Sequence, residues 1–211
     1  MNTVANSVLA RCDALDGAAD GMVADVQMCK QAFDLATAVP TCGGVRDGSC
    51  LTAAQKSVLD NVFSGARNSA GTAIYSSFPY DAGINRADWR QWEFSNSQSL
   101  DTAAVGFVFS TPPLGPSRPS GIDFALGFSM DIDAPSIFAS TALYTESSMS
   151  FMTPPNPSNV SALRDRGSKL IVYHGTSDAV FSSDDTTSWY EQLRAANGGD
   201  AALLASFRCP A

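Results

Sequence analysis

The chain has 211 residues, enough for one large domain or two small ones with a real core. Its net charge is −8, and its 13 lysines and arginines are scattered, which excludes a positive stripe able to track nucleic-acid phosphates. Hydrophobic residues make up 45% and charged residues 16%, while 16 glycines and 11 prolines make the chain loop-rich but not disordered. No apolar run approaches the roughly 20 residues of a membrane span.

Residues 1–11 have helical spacing at Val4, Val8 and Leu9, without the basic-then-apolar pattern of a signal peptide. An acidic, turn-rich stretch follows, Cys12-Asp-Ala-Leu-Asp-Gly-Ala-Ala-Asp-Gly-Met-Val. Cys12 and Cys29 bracket one short segment, and Cys42 and Cys50 bracket another. Two tight pairs in a loop-rich acidic chain read as local disulfides, and so as an oxidising compartment. Four reduced thiols are the bland alternative; a zinc site is a third, but there is no CxxC and only one histidine. Cys209 is left over.

Thr52 and Gln55 form a capping box before Val58, Leu59, Val62 and Phe63, which predicts a helix ended by Gly65 to Gly71. Residues 72–100 are aromatic and irregular, with short strand candidates at most. Pro112, Pro113, Pro116 and Pro119 mark one proline-rich link, and Thr153-Pro-Pro-Asn-Pro-Ser a second. Ser161 to Arg166 reads as a polar helical turn. Lys169-Leu-Ile-Val-Tyr173 is a continuous apolar run bounded by Gly167 and Gly175, the pattern of a buried parallel strand. Residues 183–196 predict a helix with Asp184 or Asp185 at its start, and Leu203 to Phe207 a helix end or another strand. Strand, loop, helix, strand is a βαβ rhythm, so an α/β element follows a large irregular region.

Two constellations carry chemistry. Asp13, Asp16 and Asp20 lie within eight residues, with Gly17 and Gly21 each following an aspartate. Carboxylates folded together by Asp-Gly turns repel unless a hard cation joins them, and calcium accepts such oxygens. A solvated loop with two turns explains the same residues. The second constellation is Tyr173-His-Gly-Thr-Ser-Asp178-Ala-Val-Phe181. In α/β-hydrolases the triad runs serine, acid, histidine along the chain, each on a loop at a strand's C-terminal end. Asp178 stands where the acid would. His174 precedes it by four residues, which favours a structural role with the ring bonded to backbone. No G-x-S-x-G occurs, and Ser147-Ser148 and Ser182-Ser183 lack the strand–turn–helix setting of a nucleophile.

These segments together resemble the tannase and feruloyl esterase family: Cys12-Asp-Ala-Leu-Asp-Gly-x-x-Asp-Gly with Cys29, Cys50-Leu-Thr-x-x-Gln, and Lys169-Leu-Ile-Val-Tyr-His-Gly-x-x-Asp178. Met130-Asp-Ile-Asp, Ser147-Ser-Met and Phe181 look like the bacterial branch that includes mono(hydroxyethyl) terephthalate hydrolase. The resemblance implies a fragment of an α/β-hydrolase: residues 1–155 as a mixed α/β lid with a calcium loop and two disulfides, and 156–211 as the C-terminal part of the core. It implies calcium held by Asp13, Asp16 and Asp20 side chains and by the carbonyls of Ala18 and Met22. Asp178 becomes the triad acid, and Phe181 and Trp92 contact an aromatic acyl group. The implied protein is a secreted or periplasmic serine esterase of small aromatic esters, with no nucleic-acid or membrane partner. Its nucleophile is expected before Met1 and its histidine beyond Ala211, so the 211 residues alone are expected to be inert. No arginine between 95 and 105 matches the family residue that holds the terephthalate carboxylate, which points toward plant-type phenolic esters or another ester. The competing expectation is a secreted, calcium-stabilised binding module without catalysis.

Overall fold

Helix periodicity accounts for most of the architecture. The computed structural model describes residues 1–115 and 121–199. Val4, Val8 and Cys12 recur every fourth residue on α1 (Asn2–Cys12) and are all buried. They meet Cys29 on α2 (Val26–Ala32), Leu35 on α3 (Leu35–Ala38), and Leu59 and Phe63 on α4 (Ala53–Ser64). Asp25 and Asp34 cap α2 and α3, accepting from the backbone N–H groups of Met28 and Ala36 at 2.8 and 2.9 Å. The expected capping box on α4 is formed by Thr52 and Gln55. Lys56, also on α4, is buried; its ammonium donates to the carbonyls of Ala36 and Val39 at the end of α3, where a cation complements the helix dipole.

The aromatic stretch 72–100 is more helical than its composition predicts. A 3₁₀ turn, Ala82–Asn85, leads into α5 (Ala87–Phe94), with Asp88 in its first turn. Trp89 drops into the core and stacks on Phe63 at 5.6 Å; Tyr80 lies 4.1 Å from Phe63 and 4.7 Å from Phe33. These residues form one apolar cluster drawn almost wholly from the first 94 residues. α6 (Leu100–Ala103) runs into a π-helical turn, Ala104–Phe109, and α7 spans Ile122–Gly127. The Met130–Asp133 motif is a folding device. Asp131 accepts from both the N–H and the hydroxyl of Ser69, each at 3.0 Å, and Asp133 from the Ser129 N–H at 2.8 Å. Ser147 caps α8 (Ser148–Met152), while the Ser148 hydroxyl donates to the Val108 carbonyl.

The last described elements are α9 (Ser161–Asp165) and α10 (Ser183–Ala196). α10 is capped by Ser182, two residues before the first of the expected aspartates, which fall in its first turn. Val160 and Leu193 form a second, smaller cluster with Leu163 and Trp189. The expected parallel strand at 169–173 does not form a ladder among the described residues. Ile171 is 84% and Tyr173 92% exposed. A strand is a relation between two segments, and the described residues offer this run no neighbour; only two isolated bridges occur, Thr41 with Leu51 and Arg67 with Ala73. The described part of residues 1–155 is accordingly helical where a mixed α/β lid was expected. Pro116, Pro119, Cys209 and the expected element at 203–207 lie outside the described residues.

Candidate active site

The 174–186 segment folds around one turn and one helix cap. The Asp178 N–H donates to the Gly175 carbonyl at 3.1 Å, closing a four-residue turn with Thr176 and Ser177 at its centre. Asp178 then accepts the N–H groups of Val180 and Phe181 through Oδ1, at 2.8 and 2.9 Å. Its Oδ2 faces His174 Nε2 at 3.6 Å. Burial pushes the Asp178 carboxyl up, but the N–H groups of Phe181 and Val180, with His174 beside them, outweigh it. The net shift is below the ordinary carboxylate value, so Asp178 is ionised at neutral pH.

His174 is not bonded to backbone as expected. Its Nδ1 lies 2.7 Å from the Thr186 hydroxyl on α10. With the Nε2 proton turned to Asp178, Nδ1 accepts from Thr186. A triad histidine has the opposite wiring: the acid holds Nδ1 and Nε2 is left for the serine. With Nδ1 on Thr186 and Nε2 on the side of the acid, His174 does not have the wiring of a triad base.

The remaining site residues lie apart from one another in their packing. Phe181 follows Asp178 by three residues and is 67% exposed. Trp92 is half-buried on α5, and no ring contact joins it to Phe181 among the described residues. A cavity of about 360 Å³ is lined by Ser110, Thr111, Leu114, Phe124, Phe128 and Ser136, among others. None of the residues expected to carry chemistry borders it.

Both cysteine pairs are disulfides, Cys12–Cys29 and Cys42–Cys50, each with a Cα separation of 5.1 Å. The first closes the acidic loop at its root and is itself buried in the core. Within the loop, Asp13 accepts the N–H groups of Asp20 and Gly21 at 3.0 and 2.9 Å. Asp16 accepts those of Ala18 and Ala24 at 2.9 and 3.2 Å, and Asp20 that of Met22 at 3.1 Å. Gly17 and Gly21 have φ of 95° and 82°, so both Asp-Gly turns use the left-handed region that glycine enters without strain. Among the described residues no three His, Cys, Asp or Glu side chains converge as a metal cluster. The donors are hard oxygens of the kind calcium takes, but a cation here must draw the three carboxylates together from their backbone partners.

A residue that sequence reasoning passed over is Asp81. It is only 9% exposed and accepts from Thr176 Oγ1 at 2.7 Å, from Ser177 Oγ, and from the Gly83 N–H at 2.7 Å. Its only sequence signal is an aspartate two residues before a glycine.

The family model described as tannase and feruloyl esterase matches residues 1–208. A mono(2-hydroxyethyl) terephthalate hydrolase from Piscinibacter sakaiensis is 34% identical over 234 residues, an alignment covering all of this chain and 39% of that protein. A probable feruloyl esterase B of Emericella nidulans is 29% identical over 224 residues, covering 97% of this chain and 34% of its own length. Among solved structures, the tannin acyl hydrolase from Aspergillus niger superposes with a TM-score of 0.65 at 20% identity, over 97% of this chain and 38% of that one. Feruloyl esterase B from Aspergillus oryzae does so with a TM-score of 0.59 at 21% identity, over 98% and 38%. The likeness extends to fold, an α/β-hydrolase type of which the described residues form a helix-rich portion. The chain spans less than two fifths of the length of these relatives. It belongs to the tannase and feruloyl esterase family.

Proposed function

We propose that this chain is part of a secreted or periplasmic carboxylic ester hydrolase acting on esters of aromatic acids through an acyl-serine intermediate. The observation that carries the reading is Asp178. It is an ionised carboxylate on a hydrogen-bonded turn, with one oxygen fixed by two backbone N–H groups and the other left without a backbone donor among the described residues, 3.6 Å from His174. In this reading Asp178 orients a histidine that takes the serine's proton, and stabilises the imidazolium that forms. Since His174 turns Nε2 rather than Nδ1 to the acid and the sequence has no G-x-S-x-G elbow, the serine and the base histidine come from sequence outside the 211 residues. Phe181 and Trp92 line the acyl side, and Phe181's exposure leaves its ring open to a substrate. The acidic loop holds calcium through Asp13, Asp16, Asp20 and the carbonyls of Ala18 and Met22, where the cation neutralises the carboxylates and stiffens the loop. The small-molecule substrate class follows the relatives, which are feruloyl esterases and a terephthalate ester hydrolase by name.

The experiment compares the intact protein encoded by the gene with the 211-residue chain, on methyl ferulate and a nitrophenyl ester. Asp178→Asn in the intact protein is expected to lower kcat on the order of 10⁴-fold, as removal of a triad acid's charge does elsewhere. The isolated chain is expected to be inert. An unaffected Asp178→Asn returns Asp178 to a turn residue and leaves the non-catalytic binding module as the reading. Saturable turnover by the isolated chain that His174→Ala abolishes overturns the triad assignment.

A further inference from the structure

Asp81 and Asp178 are 97 positions apart in sequence and joined in space by a single turn. The turn's two central residues, Thr176 and Ser177, both donate their hydroxyls to Asp81, one to each carboxylate oxygen. The turn's last residue is Asp178. The Asp81 side chain is itself fixed from behind by the Gly83 N–H and is almost wholly buried. A hydroxyl bond to a buried carboxylate is charge-assisted and stronger than a neutral one, so this clamp is stiff.

A second observation points to the same contact. A Cβ built on Gly83 meets the Ser177 Cβ at 2.9 Å and Asp81 Oδ1 at 3.2 Å. No left-handed φ requires glycine at 83. What requires it is the close approach of the Ser177 side chain to the 3₁₀ turn. Ala179, just past Asp178, packs on the first apolar cluster, so the turn is held on both sides.

We propose that Asp81 is a positioning residue of the esterase: by gripping Thr176 and Ser177 it sets the place and direction of the Asp178 carboxylate. It touches neither substrate nor reacting atoms. The proposal rests on Asp178 being the triad acid. It adds that the segment carrying Tyr75 to Ile84 is coupled to catalysis through one carboxylate. A triad tolerates little displacement, since misplacement by about 1 Å costs on the order of 10²-fold in rate.

The test is a double-mutant cycle in the intact protein with methyl ferulate as substrate: Asp81→Asn, Asp178→Asn and both together. Asp81→Asn is expected to lower kcat on the order of 10- to 100-fold with KM changed less than about twofold. On the Asp178→Asn background the same change is expected to cost less than about twofold in kcat, because the group it positions has lost its function. Gly83→Ala, which crowds Ser177 and Asp81 Oδ1 without removing a charge, is expected to reproduce the kcat loss. If Asp81→Asn does not fold, Ser177→Ala carries the same cycle. Equal fold losses in both backgrounds mean general destabilisation and overturn the proposal. So does an unchanged kcat in Asp81→Asn beside a crippled Asp178→Asn. An unchanged Asp178→Asn sinks the triad reading first and this proposal with it.

Discussion

Glu93 on α5 is a half-buried carboxyl whose Oε1 is sealed from solvent without a hydrogen-bond partner among the described residues. Burial, then the charge of Asp101, push its pKa up from 4.5 to about 7. Because the folded pKa is raised for an acid, the folded state holds the proton more tightly than the unfolded chain. The contribution of Glu93 to stability is therefore greatest below about 4.5, falls as pH rises through the window to about 7, and stays reduced above it. Glu93→Gln removes that dependence. Its melting temperature is expected to exceed the parent's at about pH 8 and to converge with it near pH 4.5, which thermal melts across that range would measure. Parallel curves for the two proteins would refute the assignment. At this scale the sequence is a partial guide. Asp178 is legible because its neighbours form a recognisable string after an apolar run. Asp81 is not, because its partners lie 95 and 96 residues away and nothing in Tyr-Asp-Ala-Gly announces them. Glu93 is likewise silent, since burial of a carboxyl depends on what packs over it.

At the scale of elements, the acidic loop and its disulfide make the sharpest prediction. As it stands, the loop is folded by its own N–H bonds and closed at the root by Cys12–Cys29. Calcium binding to this folded loop alone would stabilise by mass action, about 2.7 kcal/mol at a hundredfold excess over Kd. Melts of oxidised protein with calcium and with chelator are expected to differ by several degrees, and Asp16→Asn to shrink the difference. Identical melts leave a solvated loop with two Asp-Gly turns. Local signals served well for elements of this kind. The capping box at Thr52 and Gln55, the spacing of α1, and the cysteine pairs each declare short-range geometry. α5 was obscured because Trp89, Trp92 and Phe94 suit strands by intrinsic preference, and the buried stacking of Trp89 on Phe63 decides otherwise. Lys169–Tyr173 has a buried strand's composition, but pairing depends on a neighbour that composition cannot supply.

For the whole molecule, two apolar clusters of very different size share one chain. The larger holds Trp89 and the smaller Trp189, whose indole N–H donates to the Pro157 carbonyl at 2.9 Å. Between them run few polar ties besides the Asp81 clamp. Lys30 pairs with Asp184 at 3.0 Å, the Ser77 hydroxyl donates to the same carboxylate at 2.6 Å, and Tyr75 accepts the Ser182 N–H at 3.0 Å. The molecule thus carries one built-in optical reporter in each cluster. With Trp92→Phe in place, single-tryptophan variants retaining Trp89 or Trp189 give two unfolding curves from one fold. Coincident midpoints are expected while the ties are intact, because a cluster with two buried members gains most of its cooperativity from its neighbour. Lys30→Met and Asp184→Asn together are expected to pull the Trp189 midpoint below that of Trp89 by a measurable interval of denaturant. Curves that stay superimposed after both substitutions would assign the cohesion elsewhere. Emission from two rings then becomes a way to hear whether the larger cluster and the segment carrying Asp178 melt as one body or in sequence.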